Sequence, residues 1–444
     1  MNENLLTKYD LFYPTSLKGF TVWGKSGLEL LENIKKLIHN KLKKYGYLQI
    51  KLPTISKKKY LDMYVGNKKN LIMKILSDSN FAMVLNPFSE FAYLEFLTEN
   101  PHVLPHYKKV FQWSKCYLNE QYPNLCINCL EITKCEIFSI DTCIESANIL
   151  WDKLNDILID LCRNEFCLSP IYGIRPKKTA FPFTYNTFSA EIALGDSCFQ
   201  TLLVSHIMEN NFLKNSNFLK TNESNKYILN SACFSQKMIA SMLLHHSDAL
   251  GLRYPSSIAP TRGIIVTAKN KLRLPNYERV KYVSSIEGGC LKSFLISQGL
   301  IWLIFYDSKL QSWKVMYRNN LEQIDIFSKF EEAYDNAVAY EKRFDDILRG
   351  ESKLKNTNSM IKINCYDKFS KINNDLKSTH NIFVFCCDNK KCSQKILSKI
   401  NWIPKLKSKV TEEVDCCIEC GHPASWGYMF EKSEKYTSFY VKNK

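Results

Sequence analysis

The sequence predicts three parts in order: an α+β front, an α/β middle and a small end that carries paired cysteines. Three observations carry that prediction. Residues 27–45 (GLELLENIKKLIHNKLKKY) space their apolar side chains at helical intervals, with lysines opposite. Residues 108–140 have strand-like patterning, interrupted by the polar run 119–124. Cys387 with Cys392, then Cys417 with Cys420, form two short-spaced pairs near the C-terminus.

The elements follow in order. After the helix, residues 47–52 predict a short strand that Pro53 stops, since proline cannot donate to a sheet. Lys57, Lys58, Lys59, Lys68 and Lys69 read as exposed loop lysines. Residues 81–85 form another short apolar strand, ended by Asn86 and Pro87. Residues 144–162 return to helical spacing. Residues 210–226, rich in Asn, Ser and Lys, read as an exposed connection. Residues 238–244 predict an apolar helix leading to His245 and His246, and 258–266 a strand. Residues 327–349 predict a charged helix, and 353–359 (KLKNTNS) a linker before the last module.

Length and composition bound the function. A chain of 444 residues predicts two or three domains, and 45% hydrophobic with 23% charged residues excludes wholesale disorder. Lys+Arg outnumber Asp+Glu by 60 to 44, which points either to a polyanionic partner or to lysine-rich codon usage. Only nine of those residues are arginines, and the first is Arg163. The N-terminus shows no basic start followed by an apolar run, and no stretch reaches the ~18 apolar residues of a membrane span. A cytoplasmic protein is expected, with no membrane partner and with most cysteines (Cys116, Cys143 and Cys162 among them) as buried thiols.

The cysteine pairs carry the sharpest local chemistry. Two pairs about 25 residues apart can supply four thiolates to one tetrahedral Zn²⁺. Gly421 allows the tight turn after the second pair. The alternative is a set of buried free thiols. Cys386 and Cys416 stand beside the pairs, and His422 is a further candidate ligand. Four protein ligands would make the site structural, with no open position for water.

These segments together resemble a family. CDNKKC and CIECGHPA are similar to the cysteine-bearing end of prolyl-tRNA synthetases of the archaeal/eukaryotic type. GLELLENIKK followed by GYLQIKLP resembles class II motif 1, and VLNPFSE resembles the family's L-R-P-T-S-E. Residues 112–136 resemble motif 2, with Trp113, Glu120, Glu131 and Glu136 matched. VSHIMENNF resembles T-S-H-x-L-G-Q-N-F, and SACFSQKMIASMLLHHSDALGLRYPSSIAP resembles motif 3 and its exit.

The resemblance implies a class II fold: an antiparallel sheet with flanking helices over 1–262, a shortened α/β anticodon-binding domain over 263–335, and a zinc-type α+β domain over 336–444. It implies a homodimer that joins proline to ATP with Mg²⁺, then transfers it to tRNA(Pro). A catalytically degenerate relative that binds tRNA or a protein partner is the alternative. Lys237 stands at the motif 3 arginine and, with Glu131, is the catalytic candidate. Glu90, His206 and Ser231 are implied to bind substrate; Glu120, Glu131 and Glu136 to serve ATP or its metal. Glu90 also reads as an ordinary helix-start carboxylate. The departures are specific. Phe88 replaces a threonine, Ala232 replaces a tryptophan, and Leu118, Asn128 and Leu130 fall where the family has basic side chains. Lys108, Lys109, Lys115 and Lys134 are the nearby cations. Arg262, Lys269, Lys271 and Arg273 form a basic cluster that is either solvated or a phosphate-contacting face. Tyr436 lies near the family's terminal tyrosine, but the chain continues past it.

Overall fold

The structure is a computed structural model. It describes residues 3–57, 73, 83–119, 123–181, 183–194, 199–208, 227–267, 275–286, 290–374, 381–400, 402–410 and 415–432. Twenty strands occur among these, in chain order: β1 Phe12–Pro14, β2 Thr21–Trp23, β3 Leu48–Gln49, β4 Ile55–Lys57, β5 Met83–Leu85, β6 Lys109–Tyr117, β7 Glu131–Asp141, β8 Ile171–Ile174, β9 Thr184–Ala193, β10 Phe199–Met208, β11 Ile228–Ser235, β12 Gly263–Val266, β13 Val280–Val283, β14 Trp302–Asp307, β15 Ser312–Tyr317, β16 Asn320–Phe327, β17 Met360–Ile363, β18 Asn381–Cys386, β19 Ile403–Lys409 and β20 Trp426–Glu431.

The first long helix, Lys25–Lys44, follows its apolar spacing. It buries Gly27, Leu30, Leu31, Ile34, Ile38 and Leu42 along one face and ends on Lys41, Lys43 and Lys44, which suit the negative end of a helix. The largest sheet has eleven strands in the order β17-β18-β20-β19-β8-β9-β10-β11-β7-β6-β3. Neighbours from β8 to β6 pair antiparallel, whereas β3 joins β6, and β17 joins β18, in parallel. The sheet is therefore mixed rather than purely antiparallel. Helix Ile144–Asp160 buries Trp151, Leu154, Ile157 and Leu158, and helix Gln236–His246 buries Met238, Ile239, Met242 and Leu243, into the same core as Leu203, Ile207 and Phe234 of the sheet. A second sheet, β13-β12-β14-β15-β16, pairs parallel at β12 and antiparallel beyond β14.

The cysteine-bearing module is not a detached unit. Its strand β19 pairs with β8, with Lys407 opposite Ile174. Gly173 makes the approach possible: a Cβ there would lie 2.2 Å from the Lys407 carbonyl oxygen.

Several sequence expectations need correction. Residues 353–359 are not a linker, because helix Phe330–Asn358 runs through 353–358 with Ser359 as its C-cap, and through residue 335 as well. The polar composition there serves buried pairing. Asn356 accepts from the Ala193 backbone N–H at 2.7 Å and donates to the Ser169 carbonyl at 2.7 Å. Ser352 Oγ accepts from the Ser169 N–H at 3.0 Å and lies 2.8 Å from His245 Nε2. The strand expected at 258–266 begins only at Gly263. That expected at 47–52 shortens to β3. Cys116 and Cys162 are buried, but Cys143 is exposed: it caps helix Ile144–Asp160 by accepting from the Ser146 N–H. The connection at 210–226 lies outside the described residues. Among the described residues no helix is long and apolar enough to cross a membrane.

Candidate active site

The centre of the large sheet opens into a cavity of about 250 Å³, lined by Phe88, Glu90, Lys134, Glu136, Arg175, Phe181, Thr187, Thr201, Val204, His206, Ser231, Ala232 and Cys233. Residues nearly 150 positions apart meet here because β7, β9, β10 and β11 are neighbours.

Glu136 of β7 anchors one wall. Its Oε1 accepts from the Ser89 backbone N–H at 3.0 Å. Its Oε2 accepts from Ser89 Oγ at 2.6 Å, Ser114 Oγ at 2.8 Å and Gln112 Nε2 at 3.1 Å. Four donors from the chain itself surround this buried carboxylate. It holds the start of helix Glu90–Glu99, and the expectation that it serves ATP or a metal does not fit that environment.

Glu90 opens that helix and is only 6% exposed. Its Oε1 accepts from Ser231 Oγ at 2.6 Å, while Oε2 is buried with no hydrogen-bond partner among the described residues. Burial, reinforced by the charge of Glu136, pushes the carboxyl up to about 7. A lone buried carboxylate oxygen is costly, and a cationic donor entering the cavity would relieve it.

His206 of β10 faces Ser231 in register and lies 3.0 Å by Nδ1 from Thr187 Oγ1. The Phe181 ring packs on it at 5.1 Å. Burial first, then the cations Arg175 and Lys134, hold the imidazole down to about 3, so it is neutral. Lys134 stands two residues from Glu136 on the same face of β7 and donates to the Pro87 carbonyl at 2.9 Å. Its burial disfavours the ammonium, but Cys116, Cys233, Glu136 and Glu90 outweigh that and hold its pKa above the usual range.

The structure brings Glu90, Ser231, His206 and Glu136 together. It leaves Glu131 and Lys237 off the cavity lining. Glu131 is five residues from Glu136, hence on the opposite face of β7, and pairs with Lys115 at 2.6 Å. Lys237 is in the first turn of helix Gln236–His246, where its Nζ reaches the Gln200 side-chain oxygen at 2.9 Å once that amide is turned end for end. Glu120, Lys269, Lys271, Arg273 and Tyr436 lie outside the described residues, and Arg262 is tied to Glu341 at 2.8 Å.

Sequence reasoning missed Arg175. It follows β8 and is succeeded by Pro176, Lys177 and Lys178, a run that belongs to none of the motifs. Only strand pairing carries it to Glu191 (2.9 Å), Ser189 (3.0 Å) and Thr201 (2.8 Å) inside the cavity.

In the C-terminal module, the sulfurs of Cys387, Cys392, Cys417 and Cys420 all lie within 4.8 Å of one another. Tetrahedral Zn–S bonds of about 2.3 Å put sulfurs roughly 4 Å apart, so this donor set fits a metal. Gly421, at φ 74°, makes the turn that returns its N–H to the Cys417 carbonyl at 2.9 Å. Cys386 points elsewhere, toward the Cys387 carbonyl and Ser393, and His422 contributes its carbonyl to the Cys417 N–H at 2.8 Å.

The fold matches that of solved aminoacyl-tRNA synthetases. Two solved structures of prolyl-tRNA synthetase from Cryptosporidium parvum match over 97% of this chain and 96% of theirs at 16% identity, one complexed with L-proline and AMP (TM-score 0.77), the other with halofuginone and AMPPNP (TM-score 0.79). In sequence the chain resembles proline–tRNA ligases in particular. That of Pyrococcus horikoshii is 27% identical over 277 residues, covering 59% of this chain and 57% of the relative; that of Clostridium botulinum is 21% identical over 274 residues, with the same coverage. The chain thus spans a little over half the length of the curated relatives it matches. No family model matches the sequence.

Proposed function

We propose that this chain is a proline–tRNA ligase. One observation carries the reading: the cavity holds a buried carboxylate oxygen on Glu90 without a partner among the described residues, beside Ser231 and a neutral His206, at the centre of a synthetase fold. A secondary ammonium supplies the missing charge and N–H donors. The apolar walls of Phe88, Phe181 and Val204 suit a pyrrolidine ring.

In the proposed reaction an oxygen of the proline carboxylate attacks the α-phosphorus of ATP and the bond to pyrophosphate breaks. A terminal tRNA hydroxyl then attacks the acyl carbon and AMP leaves. The protein's work is positioning and charge stabilisation. Glu90, Ser231 and His206 bind proline. Lys237, in the first turn of the motif 3 helix, would meet the phosphates, and Glu131, on the face of β7 away from the Glu90 cavity, would with Glu120 hold ATP and its Mg²⁺. Glu136 acts through Glu90 by holding the helix start. Zn²⁺ in the four-cysteine cluster would clip the C-terminal module. Residues 1–262 would form the catalytic part, with tRNA(Pro) contacted further along a cytoplasmic homodimer.

A second reading, a non-catalytic binding relative, draws on the absence of any arginine before Arg163, which leaves the β6–β7 hairpin with lysines as its cations. Proline-dependent exchange of pyrophosphate into ATP separates the two. Exchange above background supports the ligase; none from folded, metal-replete protein overturns it in favour of the binding relative.

A further inference from the structure

We propose that Arg175 is the residue that reads the acid group of the bound amino acid, opposite Glu90 at the amine. The inference rests on the amino-acid-binding reading of the cavity and names the group that completes it.

Burying a zwitterion requires a partner at each pole, because an unpaired charge in a low-dielectric cavity is heavily penalised. Glu90 Oε2 supplies one pole. Among the described residues, Arg175 is the one guanidinium that lines the cavity. Its Nε donates to Ser189, and one terminal nitrogen, Nη2, donates to both Glu191 and Thr201. The other, Nη1, has no partner among the described residues. Three bonds thus pin the fork while one edge stays available, which is the preorganisation that carboxylate recognition needs.

Glu191 does not cancel this cation by itself. It is fully buried, and its charge also acts on Lys405, which is paired with Glu431 at 3.0 Å. Lys134, on the other wall, stands beside the Glu136 carboxylate and donates to the Pro87 carbonyl, so the cation with an open hydrogen-bonding edge toward an incoming anion is Arg175. The depressed His206 reports the same positive field, Arg175 being the larger charge contribution after burial. Phe88, Phe181 and Val204 complete an apolar surface around these poles.

The test is calorimetric titration of the full chain with proline and with pyrrolidine, which has the amine and ring but no carboxylate. The intact protein is expected to prefer proline. In Arg175→Met that preference should fall about 10- to 100-fold, the worth of one charge-assisted hydrogen bond, while pyrrolidine binding changes little. Because the single variant strands buried Glu191, the pair Arg175→Met with Glu191→Gln is measured alongside, its folding checked by thermal melting. Arg175→Lys keeps the cation and should retain part of the preference. A folded variant that still prefers proline as the intact protein does overturns the assignment of Arg175. An intact protein that binds neither compound overturns the amino-acid site itself, and this inference with it.

Discussion

The central cavity and the cysteine cluster are built in opposite ways. The cluster takes its four sulfurs from two short stretches of chain, Cys387/Cys392 and Cys417/Cys420, with Cys392 in the first turn of helix Lys390–Lys399. The cavity draws Glu90, Lys134, Arg175, His206 and Ser231 from five separate segments. Local spacing announces a metal site before any fold is known. A substrate cavity exists only once strands are paired in register. The two also differ in what holds their charges. Thiols at a metal site need the ion, whereas the cavity's carboxylates are fixed by hydroxyl and amide donors already in the chain.

The largest effect expected from that contrast is at the cluster. Cys417→Ser should abolish stoichiometric zinc and unfold the C-terminal module, since structural zinc supplies on the order of 10 kcal/mol of folding free energy in small domains. Metal content and limited proteolysis check this. Full protection of the metal-free variant would break the comparison, because packing alone would then hold the module.

Glu136→Ala comes next. It removes the acceptor of four donors from Ser89, Gln112 and Ser114. A loss of roughly 2–4 kcal/mol is expected in denaturant unfolding, with weaker proline binding because Glu90 loses its mooring. Loss of stability with unchanged proline affinity would separate Glu136 from the site.

A third expectation concerns pH. Glu90 is raised from the ordinary 4.5 to about 7, so the unfolded chain ionises first. Stability from this group is present below pH 4.5 and is lost as pH rises through 7. Glu90→Gln should flatten that decline and abolish binding of the amine. His206, His245 and His246 act with the opposite sign. Burial holds them near 3, 4 and 3, so their stability is present above pH 6.5 and lost as pH falls. Thermal melts of the wild type and Glu90→Gln from pH 4 to 8 read both slopes. A variant curve parallel to the wild type would exclude Glu90 as the group responsible.

The smallest effect is at the rim. Lys115→Ala breaks an exposed pair with Glu131 and should change stability by under about 0.5 kcal/mol. A larger change would show that this pair supports the fold as well as the rim.

Legibility in the sequence followed the range of the interactions. Helix Lys25–Lys44 and the cysteine pairs were readable because their signals repeat within a few residues. Residues 353–359 misread as a linker because Asn356 and its neighbours are polar, and composition does not reveal that those amides bond to Ala193 and Ser169. Glu90, His206 and Ser231 were reached by resemblance, while Arg175 offered no pattern at all.

By itself, then, the sequence determined where the long helix forms, which cysteines can share a metal, and that no arginine stands before Arg163. Tertiary structure alone decided that Glu136 gathers four donors, that Glu90 keeps one oxygen unpaired among the described residues, and that Arg175 lines the cavity. The physical reason is that periodicity and spacing act over one or two turns. Burial and charge depend on which distant strands become neighbours.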